Sequence, residues 1–310
     1  MKKFLSTALF MCLISLILPL ILSKSILSGK TVSTADDLFH SGIDIFINEG
    51  NQSTRMDMEQ FLMYCVYAAL PRGSDTEMMK VQSVILRTIL LNTLGTRKSM
   101  DASEVNMTYI PPGTIKSGEK ENFNNVCIQL QEAVTQTGGE ALYYEDRLAL
   151  PLYFRCSSGR TRNMEEVFGT ALPYLISVES AADKTDPSYE NIITITPDVF
   201  IGTMQKYDRN FYASPISLTS SVQIIDRDSG GYVKTIQAGN ISLSGDDMRY
   251  LLHLPSSDFT VTVTETDLTF TVHGSGHGVG LSQAGAAAMA KEGKTYTEIL
   301  SYYYPGTNVR

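Results

Sequence analysis

His273-Gly274-Ser275-Gly276-His277-Gly278-Val279-Gly280-Leu281-Ser282-Gln283-Ala284-Gly285-Ala286 is the stretch on which the reading of this chain turns. Four glycines alternate with other residues. Ser282 then opens an Ala-rich run that reads as a helix, with Ser282 as N-cap and Gly293 just past the end. Glycine removes side chains so that a ligand or another backbone can come close, and the helix N-terminus that follows carries free N–H groups. This arrangement suits a polar, oxygen-rich ligand, although a glycine-rich turn before a helix is also a common way simply to redirect a chain. His273 and His277 stand four apart, but the glycines between and beside them do not hold the helical geometry a metal pair needs. Zinc stays open with no spacing behind it, and no cofactor is expected.

Working outward, the segment is fed by a β-rich region that begins near residue 216. Strands are expected at 222–225, 232–236, 259–264 and 268–272, with Thr266-Asp267 turning the last hairpin and a short helix at 244–252. A final helix is expected at 297–303. Nearer the N-terminus, residues 56–70 are apolar on most faces, as in a buried helix, and Pro71 stops it. Ser74-Asp75-Thr76-Glu77 has the spacing of a capping box. It opens a helix in which Met78, Val81, Ile85 and Ile89 recur at helical intervals, and Lys80 and Arg87, seven apart, share a face. Residues 98–120 are polar, contain Pro111-Pro112-Gly113, and read as a long loop or an insertion. Phe123, Val126, Leu130 and Val134 mark a further helix ended by Gly138-Gly139. A hairpin of 141–144 and 148–154 then delivers the polar turn Cys156-Ser157-Ser158-Gly159-Arg160-Thr161. The expected class is mixed α and β (α+β), two-lobed, with a β-rich C-terminal part.

Composition sets the surroundings. Lys2 and Lys3 precede nineteen uncharged residues, 4–22, and Lys24 follows. That is close to the length needed to span a bilayer, longer than a usual signal-peptide core, and no A-x-A site follows. An anchor or uncleaved signal is expected at 1–24, with the lysines inside and the body of the protein outside the cell membrane. Residues 25–53 read as a stalk or a loosely held leading strand, ahead of a domain at 54–310. Beyond residue 24 the chain carries 22 basic and 33 acidic residues, a net of −11. Such a surface does not fit nucleic acid as a partner. Cys65, Cys127 and Cys156 outside the anchor are an odd number, leaving room for one disulfide or for buried thiols.

Taken in order, these residues resemble a known family. The run 274–283, with Gly285-Ala286, Met289-Ala290, Gly293-Lys294, Tyr296, Ile299-Leu300 and Tyr303-Tyr304-Pro305-Gly306-Thr307, looks like the C-terminal signature of stage II sporulation protein D and the related amidase enhancers. Glu77, Lys80, Gln82, Arg87 and Thr88 resemble the family's earlier helix, and Pro173-Tyr174-Leu175, Val178 and Asp183 its middle. The resemblance implies a membrane-anchored protein acting on peptidoglycan during forespore engulfment, in the space between forespore and mother cell. It implies lytic transglycosylase chemistry between N-acetylmuramic acid and N-acetylglucosamine. One carboxylic acid protonates the leaving oxygen and the muramoyl 6-hydroxyl closes on the anomeric carbon, where ordinary hydrolases use two carboxylates. A single Glu with a raised pKa suffices for that.

The departures from the family are local. Its catalytic glutamate precedes a hydrophobic-Pro pair, and here the same frame reads Val66-Tyr67-Ala68-Ala69-Leu70-Pro71, with Ala69 in the glutamate's place. Arg155 follows Phe154 where the family commonly has a histidine. Ser275 and Ala284 stand where aromatic residues often occur, and aromatic faces are what stack on sugar rings. Glu59, Asp75 and Glu77 are the weak candidates for a displaced acid. Candidates for glycan contact are Lys80, Gln82, Arg87, Thr88, Ser158, Gly159, Thr161, His273, Gly274, Gly276, His277, Gly278, Gln283 and Tyr303. The expectation is a weakly active or non-catalytic glycan-binding member. The alternatives are a transglycosylase with a displaced acid, or an accessory protein that binds a partner amidase or other sporulation cell-wall protein.

Overall fold

The computed structural model describes residues 39–49 and 52–310. The expected anchor at 1–24 and most of the 25–53 stalk lie outside the described residues. No described helix is long and apolar enough to cross a membrane.

Chain order begins with an antiparallel hairpin, β1 (Asp44–Glu49) and β2 (Gln52–Asp57). Residues 44–49 therefore take the strand option rather than the stalk, because Ile45 is fully buried. Asp57 caps α1 (Met58–Ala69), accepting from Glu59 N at 2.8 Å, and its other oxygen takes Ser41 N at 2.8 Å. Ten successive residues of α1, from Met58 to Tyr67, are buried, as its all-round apolar face demands. Each fully buried Leu, Val or Phe contributes roughly 1.5–3 kcal/mol. Leu70 is extended (φ −109°, ψ 149°), the conformation Pro71 imposes on its predecessor.

α2 (Thr76–Leu94) corrects the expected cap. Asp75, not Ser74, is the N-cap, accepting from Glu77 N at 2.8 Å, while Ser74 Oγ donates to Pro71 O. A carboxylate one residue nearer the helix is the stronger acceptor at its positive end. Residues 98–120, expected as a loop or insertion, hold β3 (Ser99–Asp101), parallel to β1, and α3 (Pro112–Glu119). The proline pair starts that helix, since the first turn needs no N–H there. α4 (Phe123–Gln136) packs on α1 and α2.

The hairpin of β4 (Leu142–Tyr144) and β5 (Arg147–Leu148) is shorter than expected. Pro151 interrupts the second strand, and β6 (Tyr153–Phe154) leaves to pair elsewhere. After α5 (Met164–Phe168) come β7 (Glu190–Ile195), α6 (Pro197–Tyr207) and α7 (Pro215–Ser221), which have no counterpart among the expected elements. The expected strands follow as β8 (Val222–Arg227) and β9 (Val233–Ala238), with β10 (Ile241–Ser244) added, then α8 (Gly245–Leu252), β11 (Asp258–Val263) and β12 (Leu268–His273). They form two three-stranded sheets, β10-β9-β8 and β11-β12-β7. Phe200, Val233, Phe259 and Phe270 are fully buried in the core these elements share.

β13 (Leu281–Ser282) pairs parallel with β6, and α9 (Gln283–Lys291) and α10 (Tyr296–Tyr303) follow. β14 (Thr307–Val309) returns to β4, so the C-terminus closes onto the helical region. The class is mixed α and β, as expected.

Candidate functional site

β12 runs directly into the glycine segment, whose four glycines all have φ between +77° and +117°. What approaches them is the chain itself. Ser275 and Cys156 exchange backbone hydrogen bonds of 2.7 and 3.0 Å, Arg162 N donates to Gly278 O at 2.7 Å, and Leu281 N donates to Leu152 O at 3.0 Å. A Cβ on Gly280 would stand 2.0 Å from Leu152 O. Gly274 and Gly280 thus admit another backbone, while Cβ atoms on Gly276 and Gly278 would meet the Phe154 and Arg162 side chains at 2.6 and 2.7 Å.

His277 belongs to this packing. Its Nδ1 accepts from Val279 N at 3.1 Å, and its ring lies between Phe154 and Phe168, at 5.6 and 5.9 Å between centroids. Burial, reinforced by the nearby Arg249 charge, pushes its pKa down to about 4, so the ring is neutral at physiological pH. His273 stacks on Tyr189 at 5.2 Å and sits 3.5 Å from Glu190. Among the described residues no three His, Cys, Asp or Glu side chains converge as metal ligands would.

Beneath the segment, Asp183 is fully buried and ties three stretches together. It accepts from Ser157 N (2.6 Å), Ser282 Oγ (2.7 Å) and Ser180 Oγ (3.0 Å). Burial raises its pKa despite those bonds. Ser282 caps α9 through Gly285 N, as the sequence predicts. Ser180 Oγ also meets Tyr303 OH at 2.7 Å, and a Cβ on Gly285 would lie 2.1 Å from that hydroxyl. Thr161 Oγ1 accepts from Val178 N at 2.8 Å. Thr161 and Tyr303 are therefore supports, buried at 0% and 1% exposure, and the expectation that they touch glycan is corrected. Ser158 and Gly159 lie in the same turn and stay partly exposed.

The corner at Ala69 is where the glycine segment and the helical region meet. Gln283 Nε2 donates to Ala69 O at 3.0 Å and to Gln82 Oε1 at 3.1 Å. This brings together three positions that the sequence reading marked separately. Ala69 O can only accept, so Gln283 must present its nitrogen, and Gln82 Nε2 is left buried without an acceptor among the described residues. An unpaired buried donor costs about 1–3 kcal/mol. An open cleft starts at Leu70, beside Ala69, and reaches Arg155, Gln283 and Lys291. Arg155 Nη2 lies 2.9 and 3.1 Å from the two oxygens of Asp186. Burial raises the Asp186 pKa, but Ser188 and Arg155 outweigh it and hold the carboxyl below its usual range.

The carboxylates near the corner all have partners among the described residues. Glu59 receives two 2.7 Å bonds from Arg87, which is fully buried and also donates to Glu140 O at 2.9 Å. Arg87 thus braces α1, α2 and the end of α4, and cannot reach a glycan strand. Thr88, equally buried, accepts from Leu142 N at 2.9 Å. Asp75 is the α2 cap. Glu77 binds Lys80 at 2.6 Å and accepts from Tyr296 N at 2.7 Å, joining α2 to α10. Glu119, which the sequence reading did not single out, accepts from Tyr67 OH at 2.6 Å and lies 3.3 Å from Arg72.

Arg162 was also missed. It is 2% exposed, pairs with Asp228 (2.6 Å) and Asp246 (3.0 Å), and donates to His277 O at 3.3 Å. It joins the glycine segment to the β-rich region. Its partners lie 66 and 84 residues away, so no local pattern could have announced it. Cys65, Cys127 and Cys156 are all buried free thiols, the second of the two options.

A family model described as "SpoIID: Stage II sporulation protein" matches residues 48–144, from β1 through the Ala69 corner to β4. The chain is 30% identical to stage II sporulation protein D of Bacillus subtilis (strain 168), over 100% of this chain and 96% of that one. It is 26% identical to stage II sporulation protein D of Bacillus amyloliquefaciens, over 86% and 78%. It is 24% identical to the amidase enhancer of Bacillus subtilis (strain 168), over 77% of this chain and 39% of the other. A relative 30% identical over the whole of this chain and 96% of its own length places this chain in the stage II sporulation protein D family.

Proposed function

We propose that this chain is a membrane-anchored, peptidoglycan-binding protein of sporulation, working outside the membrane at forespore engulfment, with little or no transglycosylase activity. The observation that carries the reading is the grip of Gln283 on Ala69 O. The apparatus that fixes position 69 is present, while the residue there carries no proton. Cutting a glycan strand by this route requires protonation of the leaving oxygen as the muramoyl 6-hydroxyl attacks. Loss of a general acid lowers the rate by roughly a hundred- to ten-thousandfold. The carboxylates around the corner already serve caps and ion pairs. What remains is a cleft able to hold a strand without cleaving it.

The test uses the full-length chain in detergent, incubated with intact sacculi and followed by mass spectrometry of the soluble fraction. The expected result is pelleting with sacculi and no 1,6-anhydro muropeptides above buffer. Ala69→Glu is then expected to release anhydro products. Anhydro products from the unaltered chain would overturn the non-catalytic reading, and failure to pellet would overturn the binding one.

A second reading has one observation in its favour, the likeness to an amidase enhancer. On that reading the chain assists a partner amidase. It predicts that adding the chain accelerates sacculus digestion by a purified amidase, and an unchanged rate would exclude it.

A further inference from the structure

The cleft beside Ala69 is walled by more basic than acidic side chains. Its charged walls are Arg72, Arg155 and Lys291 against Asp75 and Asp186. Both acids are committed to the fold. Asp75 caps α2, and Asp186 takes Ser188 N at 2.9 Å as well as Arg155. The cations retain capacity. Lys291 is exposed at the end of α9 and makes no ion pair among the described residues. Arg155 engages Asp186 through Nη2 alone, which leaves Nε and Nη1 without a hydrogen bond among the described residues. Arg72 donates Nη1 to Tyr67 O and turns Nε to Glu119, so its Nη2 is likewise unused there. Unused donors gathered at one cleft of a chain with a net charge of −8 call for an anionic oxygen ligand.

We propose that this cleft is a carboxylate-binding subsite that takes the acidic substituent of a muramyl unit. The inference rests on the peptidoglycan reading above. Of the two alternating sugars of the glycan, only the muramyl one bears an acid, either its lactyl group or the peptide attached to it. Arg155 and Lys291 hold the carboxylate and orient the strand across Leu70, so that the chain selects muramyl units by charge rather than by ring stacking.

The experiment is competitive release of the full-length chain from sacculi by three probes: N-acetylmuramic acid, muramyl dipeptide, and N-acetylglucosamine as the uncharged control. Release by an acidic probe is expected at a concentration about tenfold lower than by N-acetylglucosamine, the weight of one charge-assisted contact. Preference for N-acetylmuramic acid assigns the lactyl carboxylate, and preference for muramyl dipeptide assigns the peptide. Lys291→Glu, at an exposed position, is expected to remove the preference with an unchanged unfolding midpoint, and Arg155→Gln to remove it with a lower midpoint, since Asp186 loses its partner. Equal release by all three probes, or a preference that survives Lys291→Glu, overturns the subsite while leaving glycan binding intact. Failure of the unaltered chain to pellet overturns the peptidoglycan reading itself.

Discussion

The glycine segment and the Ala69 corner touch through one side chain, Gln283, yet they keep opposite things. In the glycine segment every absent side chain makes room for other parts of the chain, backbone at Gly274 and Gly280 and side chains at Gly276 and Gly278, so the motif is a packing device. At the corner the packing centres on the carbonyl of Ala69, whose side chain carries no titratable group. On the reading proposed above, a motif that builds the fold persists around a position without an acid, and motif strength reports architecture more directly than activity.

The sharpest way to break this contrast is to add atoms on each side. Gly280→Ala places a methyl against Leu152 O at a backbone φ of +83°. It is expected to destabilise the chain by about 2–5 kcal/mol through overpacking and left-handed strain. Ala69→Glu, at a half-buried position, is expected to stay within about 1 kcal/mol. Urea unfolding of both variants decides it, and equal losses would erase the distinction.

The next effect is in pH. With His277 neutral down to about 4 in the folded chain and protonating near 6.5 when unfolded, the unfolded state takes up the proton first as pH falls. Stability is unaffected above about pH 6.5 and declines from there to about pH 4, by up to roughly 3 kcal/mol. His277→Gln is expected to flatten that slope, and unfolding midpoints measured across this range test it. The smallest effect concerns the turn that flanks the cleft. Asp75→Ala is expected to cost about 1 kcal/mol and Ser74→Ala less than half of that, since the cap is Asp75. The reverse order would restore the capping frame read from the sequence.

Much of the fold was legible. The buried helix ending at Pro71, the α2 periodicity, the α4 helix, the β11-β12 hairpin and the Ser282 cap are all local patterns, and local patterns survive folding when tertiary contacts agree with them. β7 and α6 were missed because their alternation and helical faces are weak by themselves and are stabilised by β12 and the core around Phe200. The 98–120 region was misread because prolines that usually mark loops here begin a helix.

The sequence by itself determined the family, the mixed class, the absence of an acid at position 69 and the acidic character of the body, since each of these is written in residue identity and order. Only the tertiary structure decided that Arg87, Thr88, Thr161 and Tyr303 are buried supports, that Glu59 belongs to Arg87, and that Gln82, Gln283 and Ala69 share a corner beside a basic cleft. The physical reason is that burial and pairing are properties of residues brought together from distant parts of the chain. Gln283 lies 214 residues beyond the carbonyl it holds, and no window of sequence contains both.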